Sequence, residues 1–271
     1  MSFVEIYSQV RATYDGTKKQ RDLLLVRYLY RPPSFALATV FIIGGFSANQ
    51  VTGLNLVILL ISMALIPSGI AYGMLIGAVV YLSVFIVDCA DGNVARYHDQ
   101  RTWYGKLIDG VLDGCGALIY MAIAVGNVQL GKSMSGPQID LACGFVATVS
   151  FLILSFFRAR LALALSQADR AVGEGQSAPE DRPTLAKGGL WRRVISAMKK
   201  LFANLNPLGP PLFIASVVLD LVSLFLLAYA LIYLLLSVAE VGFSLYYFRR
   251  RLNVRRTYHD EKANASRAQT G

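Results

Sequence analysis

The chain contains several apolar stretches that are each long enough to cross a lipid bilayer, and these constrain its fold more than any other feature. A span needs about 20 mostly apolar residues. Hydrophobic residues make up 55% of the 271-residue chain and charged residues only 16%, whereas a soluble domain is about a quarter charged. The sequence therefore predicts an integral membrane protein and argues against a disordered chain, a secreted disulfide scaffold or an ordinary cytosolic enzyme.

Six spans account for the apolar pattern. The last apolar run, Leu208–Phe248, would be about 61 Å long as a single helix, which is twice the ~30 Å hydrocarbon core. It therefore divides into two spans with a turn near Asp220. The predicted spans are Gln50–Ile66, about Ile70–Val87 with a polar extension to Arg96, Gly105 to about Val128, about Ile139–Leu165, and two within Leu208–Phe248. We predict an all-α integral membrane protein with six transmembrane helices and both termini on one side.

The basic residues test this arrangement. Of the 26 lysines and arginines, all but Lys132 fall in four segments on one side: residues 1–33, Arg96–Lys106, Arg158–Lys200, and Arg249 onwards. By the positive-inside rule that side is the cytoplasm. We therefore predict a multi-pass protein of the cytoplasmic (inner) membrane with both termini cytoplasmic. The net charge of +9 then reflects orientation and contact with anionic membrane lipids, and no nucleic-acid partner is expected.

The N-terminal region does not cross the membrane in this interpretation. Thr17–Arg31 mixes apolar and basic residues and predicts an amphipathic helix in the cytoplasmic interface. Pro33–Phe46 is apolar but too short to cross unaided, so we place it at the interface as well. The chain is then one membrane domain over residues 1–271, with an interfacial region at 1–47, a six-helix catalytic bundle at 48–248 that includes a cytoplasmic loop at 167–205, and a basic tail at 249–271.

Four carboxylates border the loop between the second and third spans. Asp88 and Asp91 are three residues apart and Asp109 and Asp113 are four apart, so each pair shares one face of its helix. The short linker between the helices lets the two faces meet. Acids in a membrane helix cost roughly 2.5–3.5 kcal/mol each at the bilayer centre, and they repel one another, so they require positive charge. Two divalent cations would balance four acids, and all-oxygen ligation favours Mg²⁺ or Mn²⁺.

Three further residues suit a phosphate ligand beside these acids. Arg96 supplies a delocalised positive charge with a fork geometry that matches phosphate oxygens. Gly92 follows the second acid and Gly105 precedes the third by one turn. A missing Cβ lets a phosphate or nucleotide approach the backbone.

The complete spacing resembles the signature of the CDP-alcohol phosphotransferase family. The matching run is Asp88-x-x-Asp91-Gly92-x-x-Ala95-Arg96, eight residues, then Gly105-x-x-x-Asp109-x-x-x-Asp113. At the start of the first span, Asn49-Gln50-Val51-Thr52 is similar to the family's Pro-Asn-x-x-Thr element, with Ala48 where proline is common. The resemblance covers roughly residues 26–160.

The resemblance implies a reaction and roles for these residues. The family moves a substituted phosphate from a CDP-linked donor to a hydroxyl acceptor and releases CMP. It implies that Asp88, Asp91 and Asp109 hold one metal ion and that Asp88, Asp109 and Asp113 hold the other. It also implies that Asp113 is the base that takes the acceptor's proton. The donor-binding residues that it implies are Gly92, Arg96, Thr102, Gly105, Asn49, Gln50, Val51 and Thr52. A homodimer is a further implication.

The acceptor and the donor's alcohol stay open at this point. Ser155–Arg160 resembles a stretch of members that use a phosphorylated soluble alcohol, in which Arg158 and Arg160 would bind the acceptor phosphate; the alternative is an ordinary positive-inside cluster. Arg27–Pro32 resembles members whose donor is a soluble CDP-alcohol and whose acceptor is a lipid or a polyol phosphate. A CDP-diacylglycerol donor with a polar alcohol acceptor is the commonest arrangement in the family.

A membrane cation transporter is the alternative of another class, because intramembrane acids are expected there too. Transport sites lie near the bilayer midplane on broken helices. The acids of this chain lie at one predicted surface, and neither of their helices contains an internal proline. A non-catalytic relative of the family, which keeps the site for binding, is a third possibility.

Overall fold

The computed structural model describes residues 2–14, 22–99, 103–134, 136–173 and 205–270, and within them all side chains except those at 103–107, 109, 113, 161–162, 164–173 and 247–270. Over these ranges the chain is helical and contains no strand. A π-helical turn at Val26–Tyr30 precedes the second helix. The helices are α1 (Phe3–Ala12), α2 (Arg31–Ile43), α3 (Ala48–Leu65), α4 (Gly73–Tyr97), α5 (Trp103–Gly116), α6 (Ile119–Gln129), α7 (Pro137–Gly173), α8 (Leu205–Val218) and α9 (Val222–Thr270).

The all-α membrane fold predicted from the sequence is confirmed. In the part of the chain that the structure describes, five segments are long and apolar enough to cross a membrane: Ala48–Leu65, Gly73–Tyr97, Gly110–Gln129, Pro137–Arg160 and Val222–Tyr246. They correspond to five of the six predicted spans, and the protein is a multi-pass membrane protein. The remaining span corresponds to α8, which is shorter and follows residues outside the description, so the count of six stays a prediction.

A turn divides the last apolar run, as the sequence predicts. α8 ends at Val218 and α9 begins at Val222. Asp220 in the turn has a positive φ of 60°, and its carboxylate lies 2.9 Å from the ammonium of Lys132. An aspartate tolerates this left-handed backbone better than most residues, which explains why the chain reverses here.

The third predicted span is interrupted, which the sequence analysis did not foresee. α5 ends at Gly116, and a turn at Ala117 and Leu118 separates it from α6. Three glycines in the last turns of α5 lower the helical propensity of this stretch. The turn leaves the Ala117 carbonyl available, and the Thr148 hydroxyl of α7 donates to it at 3.1 Å. A side chain of a neighbouring helix thus satisfies the backbone group that the break exposes, as the membrane interior requires.

The N-terminal helices form a core of their own with the acidic end of α4. Apolar residues of α1 and α2 pack against α3 and α4 in a cluster that is separate from the main core: Ile6, Val10, Phe35, Ala38, Phe41, Val51, Val87, Ala90 and Val94. α1 was not predicted, although Ser2 and Glu5 form a capping box that marks its start. The interfacial placement of residues 1–47 stays a prediction, and part of Thr17–Arg31 lies outside the described residues.

Gly77 of α4 sits against the turn that ends α3, so we expect Gly77→Ala to destabilise the protein. A Cβ at this position would lie 2.6 Å from Ile66 Cγ1 and 3.0 Å from the Ile66 nitrogen. Relieving such overpacking costs about 1–3 kcal/mol, which thermal unfolding in detergent would report as a lower Tm. Gly53→Ala is the matched control, because no described atom lies within 4 Å of its added Cβ. Alanine also removes the entropic cost of a glycine within a helix, so Gly53→Ala should be as stable as the unmodified protein or more stable.

Candidate active site

Two of the four predicted acids occupy successive turns at the polar end of α4. Asp91 is 8% exposed, whereas Asp88 is exposed. The hydroxyl of Thr52, on α3, lies 3.0 Å from Asp91 Oδ2 and equally close to the Ala48 carbonyl of its own helix. Thr52 therefore links α3 to α4 and orients one carboxylate. The predicted binding residue Thr52 and the predicted ligand Asp91 are neighbours in the structure.

The other two acids, Asp109 and Asp113, lie on α5, and their side chains are outside the described set. The neighbouring residues Leu112 and Gly116 line a cleft together with Asp88 of α4. The two acidic helices therefore border one cleft at this level. Convergence of the four carboxylates stays a prediction.

The residues present fit a divalent cation. Asp88 and Asp91 offer carboxylate oxygens from one face of α4, and the spacing of Asp109 and Asp113 places two more on one face of α5. Oxygen donors of this kind suit Mg²⁺ or Mn²⁺. Among the described side chains, no three His, Cys, Asp or Glu residues form a cluster that could hold a metal ion. The side chains of Asp109 and Asp113 are not among those described.

Arg96 lies one turn beyond the α4 acids. Its guanidinium donates to the side-chain oxygen of Asn93 and runs beside Gly92, where an added Cβ would stand 3.5 Å from Nη1. A Cβ at that distance would make an ordinary van der Waals contact, so packing does not require a glycine here. The glycine leaves this face of α4 without a side chain at position 92. Gly92 and Arg96 thus border the same face of α4, and the approach of a phosphate ligand to it stays a prediction.

A buried arginine supports Arg96 from the N-terminal region. Arg31 is 6% exposed, and its Nη1 donates to Asn93 Oδ1 at 3.4 Å and to the Cys89 carbonyl at 3.5 Å. Its Nε donates to Asp22 at 2.7 Å. Asn93 in turn donates to the Ser34 hydroxyl at 3.1 Å. The side chain of Asn93 is thus shared by two arginines and fixed between α2 and α4.

The same network includes the Tyr14 phenol, which donates to Asp22 Oδ2 at 3.1 Å, while the ring of Tyr14 lies 5.2 Å from the Arg31 guanidinium. Burial, together with the neighbouring Asp22 carboxylate, raises the pKa of Tyr14. The phenol therefore stays protonated and keeps donating to Asp22 at neutral pH.

The first turn of α3 contains the predicted nucleotide-bordering residues. Ser47 caps the helix, and its backbone N–H donates to Gln50 Oε1 at 2.9 Å. Gln50 therefore has a structural role in a capping box. Asn49 is exposed, whereas Val51 is fully buried in the N-terminal core. Of this element, Asn49 and Thr52 present polar groups on the side of the site.

The remaining predicted residues are less informative. Thr102 lies outside the described residues, and Gly105 is a backbone position of α5. Arg158 lies on α7 with its guanidinium 3.7 Å from the carboxylate of Glu240, which is 6% exposed. Arg160 is exposed and lies over the Phe156 ring at 5.2 Å. The structure thus pairs Arg158 within the bundle, and acceptor binding by these two arginines stays a prediction.

Sequence reasoning missed the interior of the cleft. The cleft has an empty volume of about 580 Å³, part of it open to solvent, and its polar lining residues are Asn55, Asp88, Asn206 and the two tyrosines Tyr81 and Tyr120. Asn55 lies three residues after Thr52, on the same face of α3 and one turn deeper. An asparagine inside an apolar span was the available signal.

Residues 46–180 match the family model described as CDP-alcohol phosphatidyltransferase. The matched range contains α3, α4, α5 and α6 and reaches through α7. It therefore includes all four acids and the residues that border the cleft, except Asn206. No curated protein matches the chain significantly.

Proposed function

Because residues 46–180 place this chain in the CDP-alcohol phosphatidyltransferase family, an enzyme family of phospholipid biosynthesis, we propose that it moves a phosphatidyl group from CDP-diacylglycerol to a polar alcohol or alcohol phosphate. The family supports a CDP-alcohol substrate, an alcohol acceptor and general dependence on divalent metal. The single observation that supports the proposal most is the acidic end of α4, where Asp91 is held by Thr52 and Asp88 borders a cleft shared with α5.

Asp88, Asp91, Asp109 and Asp113 would hold the metal ions, which we propose to be two Mg²⁺ or Mn²⁺. When bound, two such ions supply positive charge that stabilises both the attacking and the leaving oxygens. Asp91 is prepared for this role because the Thr52 hydroxyl orients its carboxylate. Hydrogen-bonded ligands of this kind bind metal more tightly than free ones.

The protein's own groups bind the donor and move one proton. Arg96, which donates to Asn93 and lies beside Gly92, would bind the donor's diphosphate. Asp113 accepts the proton of the acceptor hydroxyl. The acceptor oxygen forms a bond to the phosphorus that carries the diacylglycerol. The bond between that phosphorus and the CMP oxygen breaks, and CMP leaves with the bonding electron pair.

The proposal includes a location. Lysine and arginine residues concentrate on the side of the acidic helix ends, which supports an active site at the cytoplasmic face of the inner membrane and cytoplasmic termini. It also includes a homodimer, which the family resemblance implies. The family match favours a transferase over the cation transporter considered from the sequence.

The decisive experiment measures CMP release by the purified full chain in lipid nanodiscs. With CDP-diacylglycerol, Mg²⁺ and a panel of alcohols and alcohol phosphates, we expect CMP and a new phospholipid to appear in equal amounts. EDTA should abolish the reaction and added Mg²⁺ or Mn²⁺ should restore it. CMP release from CDP-choline or CDP-ethanolamine with no release from CDP-diacylglycerol would overturn the donor and favour the soluble-donor alternative.

Thr52→Val should weaken metal activation. Valine keeps the shape of threonine but removes the hydroxyl that orients Asp91. Loss of such a supporting hydrogen bond typically lowers metal affinity about 10–100-fold, so the Mg²⁺ concentration for half-maximal CMP release should rise by that factor. Thr39→Val is the matched control, because the buried Thr39 hydroxyl donates only to the Phe35 carbonyl of its own helix in the described structure. An unchanged Mg²⁺ requirement in Thr52→Val would argue against Asp91 as a ligand.

A further inference from the structure

The cleft beside Asp88 contains a buried amide with no hydrogen-bond partner. Asn55 is 0% exposed, and neither its Nδ2 nor its Oδ1 has a partner among the residues that the structure describes. A buried polar group without a partner costs free energy, and most buried amides are paired. Asn127, an equally buried asparagine near the other end of the bundle, differs in that its Nδ2 donates to Asp140 and Ser223, although its Oδ1 has no described partner either. A polar group that reached this amide from the cleft would therefore satisfy it.

The lining of the cleft indicates what that ligand is. No lysine, arginine or histidine is among the described residues that line it, and its only charged group is Asp88. A phosphate group would find no positive side chain among these described lining residues. The neutral polar side chains of the lining are the amides of Asn55 and Asn206 and the tyrosines Tyr81 and Tyr120, of which Tyr120 is already hydrogen-bonded to Tyr233, within otherwise apolar walls. Such a lining suits a small group that both donates and accepts hydrogen bonds, as a hydroxyl does.

The position of the cleft distinguishes the acceptor from the donor. Leu112 and Gly116, which lie one residue before and three residues after the proposed base Asp113 in the sequence, line the cleft, so a hydroxyl bound in it is next to the stretch of α5 that contains that base. The inner walls include Tyr81, Tyr120 and Phe151, which belong to the bundle's main core. The cleft therefore leads into the bundle interior, whereas the long acyl chains of a donor lipid require the lipid-facing surface.

We propose that the cleft lined by Asn55 and Asn206 is the acceptor site, that Asn55 hydrogen-bonds an uncharged polar group of the acceptor, and that the acceptor is an alcohol without a phosphate. This inference rests on the proposed function and deepens it. The pairing of Arg158 with Glu240 within the bundle agrees with it, because that guanidinium already faces a carboxylate. The ester carbonyls of the donor's glycerol could accept a hydrogen bond from the same amide, and the kinetic constants below separate the two sources.

The first test compares acceptors in the unmodified protein. CMP release from CDP-diacylglycerol is measured in nanodiscs with three pairs: glycerol and glycerol 3-phosphate, inositol and inositol phosphate, and serine and phosphoserine. We expect at least one unphosphorylated alcohol to be used with a kcat/KM about 10-fold or more above that of its phosphorylated partner. Preference for a phosphorylated acceptor would overturn the inference and leave the proposed function standing. No CMP release with any pair would overturn the proposed function and, with it, this inference.

The second test uses Asn55→Leu, with Asn127→Leu as the matched control. Leucine removes the unpaired amide from an apolar site, so the acceptor's KM should rise about 10-fold or more, the donor's KM should stay within about twofold, and the Tm should be unchanged or higher. Asn127→Leu removes the donor of two buried hydrogen bonds, so its Tm should fall while the acceptor's KM stays unchanged. A higher donor KM in Asn55→Leu, or no change in either KM, would overturn the inference. The acceptor comparison decides the matter if Asn55→Leu fails to fold.

Discussion

Asp113→Asn is expected to reduce the rate of CMP release by about 10²–10⁴-fold. The amide keeps the shape of the carboxylate but cannot accept the acceptor's proton at neutral pH, and it removes one negative charge from the proposed metal site. General-base catalysis is typically worth this factor. The fold should survive, because the substitution is nearly isosteric and lies in the second half of α5, within the matched family range. Circular dichroism and the Tm in detergent would verify that.

Raising the Mg²⁺ concentration separates the two proposed roles of Asp113. If the residue only binds metal, a high concentration of Mg²⁺ should restore the rate, whereas a missing base cannot be replaced in this way. We expect little recovery. Asp220→Asn is the matched control, because Asp220 is exposed in the turn between α8 and α9, and asparagine tolerates the same positive φ. A rate for Asp113→Asn within about threefold of the unmodified protein would refute the assignment of the base.

The sequence predicts the parts of this fold that depend on periodic patterns. The long apolar runs and the turn at Asp220 follow from residue spacing and bilayer dimensions. The proximity of Asp91 and Thr52 is also expected from the sequence. Two consecutive spans are antiparallel, so a motif at the start of the first lies beside a motif at the end of the second. These features depend on local rules that a single sequence expresses fully.

The remaining features depend on contacts between distant segments. The break at Ala117 is stabilised by Thr148 of another helix, and nothing near Ala117 in the sequence identifies that partner. Arg31 looked like part of a motif that specifies the donor, whereas the structure buries it against Asp22 and Asn93. The unpaired amide of Asn55 is recognisable only because its surroundings, as far as the structure describes them, contain no hydrogen-bond partner. Spacing within one helix cannot reveal which groups of other helices surround a side chain.

Arg31→Met should produce the largest loss of stability among the variants considered. The substitution leaves Asp22, whose side chain is 14% exposed, with the Tyr14 phenol as its one remaining described partner. Removing one member of a buried ion pair typically costs about 3–5 kcal/mol, because the other charge is left uncompensated. Arg31→Lys should be intermediate, since one ammonium cannot reproduce the fork that reaches both Asp22 and Asn93. Thermal unfolding of each variant in the same detergent measures the series.

A double variant tests whether the loss arises from the uncompensated charge. Asp22→Leu combined with Arg31→Met removes both charges, so it should recover much of the Tm lost in the single variant. Asn93 keeps its contacts with Ser34 and Arg96 in every variant, so the donor's KM should change far less than the Tm does. Equal Tm values for the single and double variants would show that Arg31 stabilises the protein mainly through Asn93 and the Cys89 carbonyl. A donor KM that rises in step with the loss of Tm would show that the N-terminal helices control Arg96 directly.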